Sequence, residues 1–158
     1  MVNQRAFSLI ELLVVVTIVG ILILVAIPFT RGWNDSAQVA EAESILKRAV
    51  GKAQAVALRN PTGSDASAAA AGVKQAGTTL LVCEGSPTSA SCSAAGSALI
   101  WREEVPAGVT LNVEGAALAT IAMNNRGRII NGSGQVQVLN YTVARGEVRD
   151  DDANNRLY

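Results

Sequence analysis

Histidine is absent from the 158-residue chain, and cysteine occurs only twice. Without an imidazole, serine–histidine and cysteine–histidine nucleophilic arrangements are excluded. The same absence weakens a zinc reading, because Cys83 and Cys92 bring no further soft ligands with them. A charge excess is missing too. Thirteen basic residues balance thirteen acidic ones, so no electrostatic footprint for a polyanion stands out. No phosphate-cradling glycine loop occurs, since Gly127, Gly132 and Gly134 sit among hairpin-type residues. Glu103 and Glu104 fall on opposite faces of a strand and are poorly placed for joint acid–base work. These absences set catalysis aside: the expectation is a non-enzyme with no cofactor and no resident metal.

What the chain does have is a long apolar run. From Phe7 to Phe29 it is interrupted by one charge, Glu11, and the stretch from Leu12 onward is long enough to cross a bilayer as a helix. A carboxylate placed in such a run costs about 2.5–3.5 kcal/mol on insertion scales, so it needs a partner. The segment before it, Met1-Val2-Asn3-Gln4-Arg5-Ala6, is short, polar and basic. A secretory signal peptide wants a small-residue cleavage site after its apolar stretch, and Ile27-Pro28-Phe29-Thr30-Arg31 offers none. Arg5 and the initial amine suit a cytoplasmic N-terminus, with Arg31 on the far side weakening that bias.

Ala6-Phe7-Ser8-Leu9-Ile10-Glu11-Leu12-Leu13 resembles the processing site of type IV pilins and pseudopilins. The resemblance implies a leader, residues 1–6, removed by a dedicated prepilin peptidase between Ala6 and Phe7. It also implies N-methylation of Phe7 and a glutamate, Glu11, fifth in the mature chain. Ala6 departs from the glycine usual before the cut. Gly20 and Pro28 match helix-weakening positions of the family. Once the leader is removed, the Phe7 amine becomes a cation at the end of an apolar helix. Glu11 then pairs with the amine of an adjacent subunit, because paired charges are tolerated in a packed bundle and unpaired ones are penalised. The implied fold is α+β, the type IV pilin fold, with a long N-terminal helix packed on an antiparallel β-sheet head. Its expected parts are a transmembrane and assembly helix at 7–30, an amphipathic helix at 31–60 and a β-rich head at 61–158.

Beyond the apolar run a helical period continues through Val39, Ala42, Leu46, Ala49, Ala53 and Val56. The helix is expected to stop near Asn60-Pro61, since a residue before proline disfavours helical geometry. Thr62 to Gly77, rich in Ala, Gly and Ser, reads as a linker. Strand-type runs follow at Thr78–Cys83, Ala98–Glu103, Val109–Val113, Thr120–Asn124, Arg128–Ile130, Gln135–Asn140, Tyr141–Val143 and Glu147–Arg149. Cys83 and Cys92 flank a polar, turn-rich stretch that can close as a disulfide outside the cytoplasm. Trp33 and Trp101 are expected to pack, against the helix or membrane interface and the sheet, rather than to bind a ligand.

Several pieces of the head are similar to the GspH/FimT/FimU group of minor pilins and minor pseudopilins. They are Ala53–Asn60, Thr79–Cys83, the Trp101 strand, Met123–Arg128 and the Gly146–Arg149 turn. The resemblance implies a FimU-like minor pilin in a tip complex that primes pilus assembly, serving twitching motility and adhesion. The rival is a GspH-like pseudopilin of a type II secretion system. The implied partners are other minor pilins, the major pilin, the prepilin peptidase, the inner membrane and the assembly platform. The implied location is the bacterial inner membrane, single pass with a periplasmic head, and the filament tip. A FimT-like DNA-uptake role would use Arg126, Arg128, Arg145, Arg149 and Arg156, but Asp150, Asp151 and Asp152 repel the same phosphates. That acidic triplet falls short of the six to eight oxygen ligands calcium takes, and reads as a solvated charge run.

Overall fold

The computed structural model describes residues 8–152 and 155–158, with backbone alone at 26–31. The calls on Ala6 and Phe7 therefore lie outside the described residues. The chain divides into two compact units, one ending at Asp35 and one running from Ser36 to Tyr158. A single helix, α1 (Leu9–Arg59, 51 residues), begins in the first and ends in the second. Pro28 lies within it although proline offers no N–H to the residue four positions earlier. No Cβ clash explains Gly20, around which the chain leaves open space.

Within the second unit, α1 carries the core. Val39, Ala42, Ile45, Leu46, Ala49, Val50, Ala53, Val56 and Ala57 are buried at helical spacing. The alanines, all fully covered, let the sheets come close to the helix. The helix ends on Asn60, which adopts a left-handed backbone (φ 46°) and donates its N–H to the Val56 carbonyl. Its side chain then holds both the N–H and the C=O of Ser64, at 2.8 and 2.9 Å.

Among the described residues ten strands follow: β1 (Ala71–Ala76), β2 (Thr79–Glu84), β3 (Leu99–Glu104), β4 (Thr110–Val113), β5 (Ala116–Ala117), β6 (Thr120–Met123), β7 (Ile129–Ile130), β8 (Leu139–Arg145), β9 (Val148–Asp150) and β10 (Arg156–Leu157). They form two antiparallel sheets. The first has the order β3-β2-β1-β6-β7, and the second runs β10-β8-β4-β5 with β9 added beside β8. The α+β pilin-type architecture expected from the sequence is present.

Two expectations are overturned. Residues 71–76, assigned to a linker, form β1, the central strand of the first sheet. Its low-propensity residues have a steric reason. A Cβ on Gly72 would lie 2.6 Å from Pro87 Cγ and from the Ile121 carbonyl oxygen. Ala70 and Ala71 are completely covered as well. Similarly, Gln135–Asn140 is not one strand. Only Val136 bridges β7, and pairing in the second sheet starts at Leu139.

Cys83 and Cys92 are bonded, with Cα atoms 5.6 Å apart. Their loop lies over the face of the first sheet away from α1, where Leu81, Cys83, Cys92 and Ala98 make a second small core. The loop backbone is pinned there by Lys74 Nζ, which donates to the Cys92 carbonyl at 2.9 Å.

Closing so short a loop removes chain entropy from the unfolded state worth about 2–3 kcal/mol. Reduction should lower the urea midpoint of unfolding by the corresponding amount and leave the native circular dichroism unchanged. An unchanged midpoint would show that the loop holds without its bond. In the main core, Leu46→Ala should cost about 2–5 kcal/mol, read in the same denaturation experiment.

Candidate functional site

The candidate site is the start of α1. Ser8 caps it: the Ser8 hydroxyl oxygen accepts from the Glu11 backbone N–H at 3.2 Å, beside the Ser8 carbonyl at 3.1 Å. Ser8 and Glu11 thus stand at the spacing of a capping box, with a carboxylate in the first turn where the helix dipole favours negative charge. The role of Ser8 was legible as Ser-x-x-Glu, although Glu11 alone draws attention by its charge in an apolar run. Glu11 therefore has a local function in starting the helix as well as a charge to place.

From Leu9 to Val25 every side chain is exposed, and the large apolar ones cover the whole circumference of the helix. A helix that is apolar all round is stable only when something surrounds it. The one hydroxyl in this stretch, that of Thr17, donates to the Leu13 carbonyl at 2.7 Å and is satisfied within the helix. Among the described residues, the Glu11 carboxylate has no ion-pair partner and remains the only uncompensated polar side chain there. Among the described residues, no helix is long and apolar enough to cross a membrane.

The two tryptophans behave differently. Trp101 is half-buried against the main core, with Lys52 Nζ 5.6 Å from its ring centre. Trp33 is 80% exposed within the chain.

In the head, a polar cluster ties α1 to the second sheet. Tyr141 in β8 is buried, and its hydroxyl donates to Glu43 Oε1 at 2.8 Å. Glu43 also pairs with Lys47 at 2.6 Å, one helical turn on. On the far side, the Asn155 carbonyl accepts from the Tyr141 N–H, and Asn155 Nδ2 donates to Asp150 at 2.9 Å. The hydrogen bond from Lys47 holds the Glu43 carboxyl below its ordinary value of 4.5. The same bond raises Lys47, and burial raises Tyr141. Tyr141 and Glu43 are 98 positions apart, so no local pattern in the sequence announces their contact. Among the described residues no group of His, Cys, Asp or Glu could hold a metal ion, and Asp150 is engaged by Asn155 instead.

Residues 1–27 match the family model described as the prokaryotic N-terminal methylation motif. Over those residues the chain is type IV prepilin-like. Such a motif implies processing by a prepilin peptidase and assembly with other pilins, and it points to a membrane-anchored, pilus-associated protein. The type IV pilin-like family is structural rather than enzymatic. No curated protein and no solved structure matches the chain.

The Glu43 cluster generates a pH dependence of known sign. A carboxyl lowered on folding stabilises the native state above its unfolded value and loses that contribution as pH falls through the folded value. Stability should therefore fall as pH drops below 4.5, and Glu43→Gln should flatten that slope. Melting temperatures of both proteins across the acid range test this; parallel curves would assign the acid sensitivity elsewhere.

Proposed function

We propose that this chain is a minor subunit of a type IV pilus, matured at Ala6–Phe7 and acting in a tip complex that primes assembly of the major pilin. The observation that carries the reading is the start of α1. A capped helix exposes an apolar surface on all sides and bears one carboxylate without a partner among the described residues. Such a surface is satisfied by lipid before assembly and by neighbouring helices after it. In both settings the helix supplies its own backbone hydrogen bonds. Glu11 is best satisfied by the amine that cleavage creates on Phe7 of an adjacent subunit, since a charge in apolar surroundings must be paired.

The head supports the same reading. It has its own core and disulfide, so it can be presented outside the cytoplasm as a separate folded body. Its mid-chain bridge and small size suit a minor component. Twitching and adhesion are the uses we infer for the filament, with a single inner-membrane pass and a periplasmic head before assembly.

A gene deletion scored for sheared surface pili and secreted exoproteins in one culture tests the proposal. Loss of pili with normal secretion is expected. Wild type should restore pili, whereas Glu11→Ala should be cleaved and methylated yet fail to enter the sheared fraction. Intact pili with lost secretion would instead make the protein a pseudopilin of a type II system.

A further inference from the structure

Trp33 lies outside the core of the head. It is 80% exposed and belongs to the first compact unit, two positions before that unit ends at Asp35. Among the described residues, burial along α1 begins only at Val39. An indole joins a wide apolar ring to an N–H donor, so neither water alone nor hydrocarbon alone satisfies it. The sequence divides at the same place. Apolar residues run up to Phe29, whereas Asn34, Asp35 and Ser36 follow Trp33. Trp33 thus stands where an apolar helix turns polar.

Glu11 marks the other end of the same stretch. The two residues are 22 positions apart on one continuous helix, which at about 1.5 Å per residue is about 33 Å along the axis. At a tilt of about 20°, the average for spanning helices, that becomes about 31 Å along the membrane normal. The hydrocarbon core of a bilayer is about 30 Å thick. A helix placed with Trp33 in one headgroup layer therefore has Glu11 in the other. Raising or lowering it by one turn, about 5.4 Å, carries one of the two into hydrocarbon.

We propose that Trp33 anchors α1 in the outer headgroup layer of the bilayer and so holds the Glu11 carboxylate at the inner layer, hydrated, until the subunit is assembled. This placement rests on the membrane-anchored reading above and adds its depth. Phospholipid is the occupant because two separate polar groups match the two faces of one bilayer. An aromatic ring with a polar tip is also the residue type enriched at that boundary. A neighbouring protein helix would impose no such spacing.

The depth decides when the charge of Glu11 becomes costly. At the headgroup layer the carboxylate keeps its water. The first turn of α1, capped by Ser8, finds water there for its remaining N–H groups. Lifting the subunit toward a filament draws both into apolar surroundings and moves the indole out of the layer that suits it. Trp33 therefore opposes departure from the bilayer, and Glu11 needs its partner only as the helix rises.

Fluorescence of the full-length protein in phosphatidylethanolamine–phosphatidylglycerol vesicles tests the anchor. With Trp101→Phe, tryptophan emission comes from Trp33 alone, since the chain has two tryptophans. If circular dichroism shows that variant misfolded, the difference between wild type and Trp33→Phe gives the same signal. Lipids brominated near the glycerol end of the acyl chains should quench Trp33 about twofold more than lipids brominated near the methyl end. Equal or stronger quenching by the deeper bromines overturns the proposal. So does an absence of quenching from protein that resists alkaline carbonate extraction, which leaves the membrane-anchored reading standing. Protein that carbonate releases removes both. The level of Glu11 is read with thiols, because the native cysteines are bonded to each other and introduced ones report alone. In opened vesicles, Ile10→Cys and Ala37→Cys should react with a membrane-impermeant maleimide. Leu22→Cys, at mid-span, should react about tenfold more slowly, since a thiol in apolar surroundings ionises poorly. Protection of Ile10→Cys equal to that of Leu22→Cys would place Glu11 in hydrocarbon and overturn the proposal.

Discussion

The head is organised by the close approach of two sheets to one face of α1. Ala42, Ala49, Ala53 and Ala57 leave almost no side-chain volume at the contact, so larger residues opposite them can reach the helix. Ile45, Leu46 and Val56 fill the flanks, and Leu80, Val82, Ile121, Met123 and Val143 close over them. Packing of this kind is unforgiving, because a dense interior has little room to absorb added or deleted carbons. It also explains why polar ties accumulate at the border of the helix. Tyr141–Glu43, Arg48–Glu103 and Gln54 with the Tyr158 carbonyl fix the position of three separate parts of the chain against it.

The same demand for close approach is met again on the opposite face of the first sheet. There β1 is pressed under the disulfide loop, with Pro87 where a side chain on Gly72 would be. Small residues in that strand are thus a consequence of what covers it on both sides. A strand buried under a loop needs fewer large side chains of its own, because its neighbours β2 and β6 provide them. The disulfide stabilises the arrangement by limiting the freedom of the covering loop, and its two buried cysteines are part of the second core.

These features mark where the sequence could be read and where it could not. The α1 period, the stop at Asn60-Pro61 and most strands are written in local pattern, since each depends on spacing within about ten residues. The strand β1 is hidden, because Ala-Gly-Val-Lys-Gln-Ala resembles a linker until Pro87 and α1 are seen around it. The Tyr141–Glu43 bond is hidden by separation, and the Val136 bridge by its position in what looks like one strand running on to Asn140. At the start of α1 the charge of Glu11 was legible, whereas the cap from Ser8 was overshadowed by it.

Ser8 and Glu11 impose a constraint on how such a helix can be handled. A helix beginning in apolar surroundings leaves its first N–H groups without partners, and each one unsatisfied is costly. Ser8 removes part of that cost from within the chain, at the Glu11 amide. The Glu11 carboxylate favours the positive end of the helix dipole but still carries a full charge that the dipole, at about half a charge, cannot neutralise. Under the assembly role proposed above, the remainder is met by a cation outside the helix. Association is then selective in depth as well as in partner, because only a neighbour whose cation arrives at the level of Glu11 completes the turn.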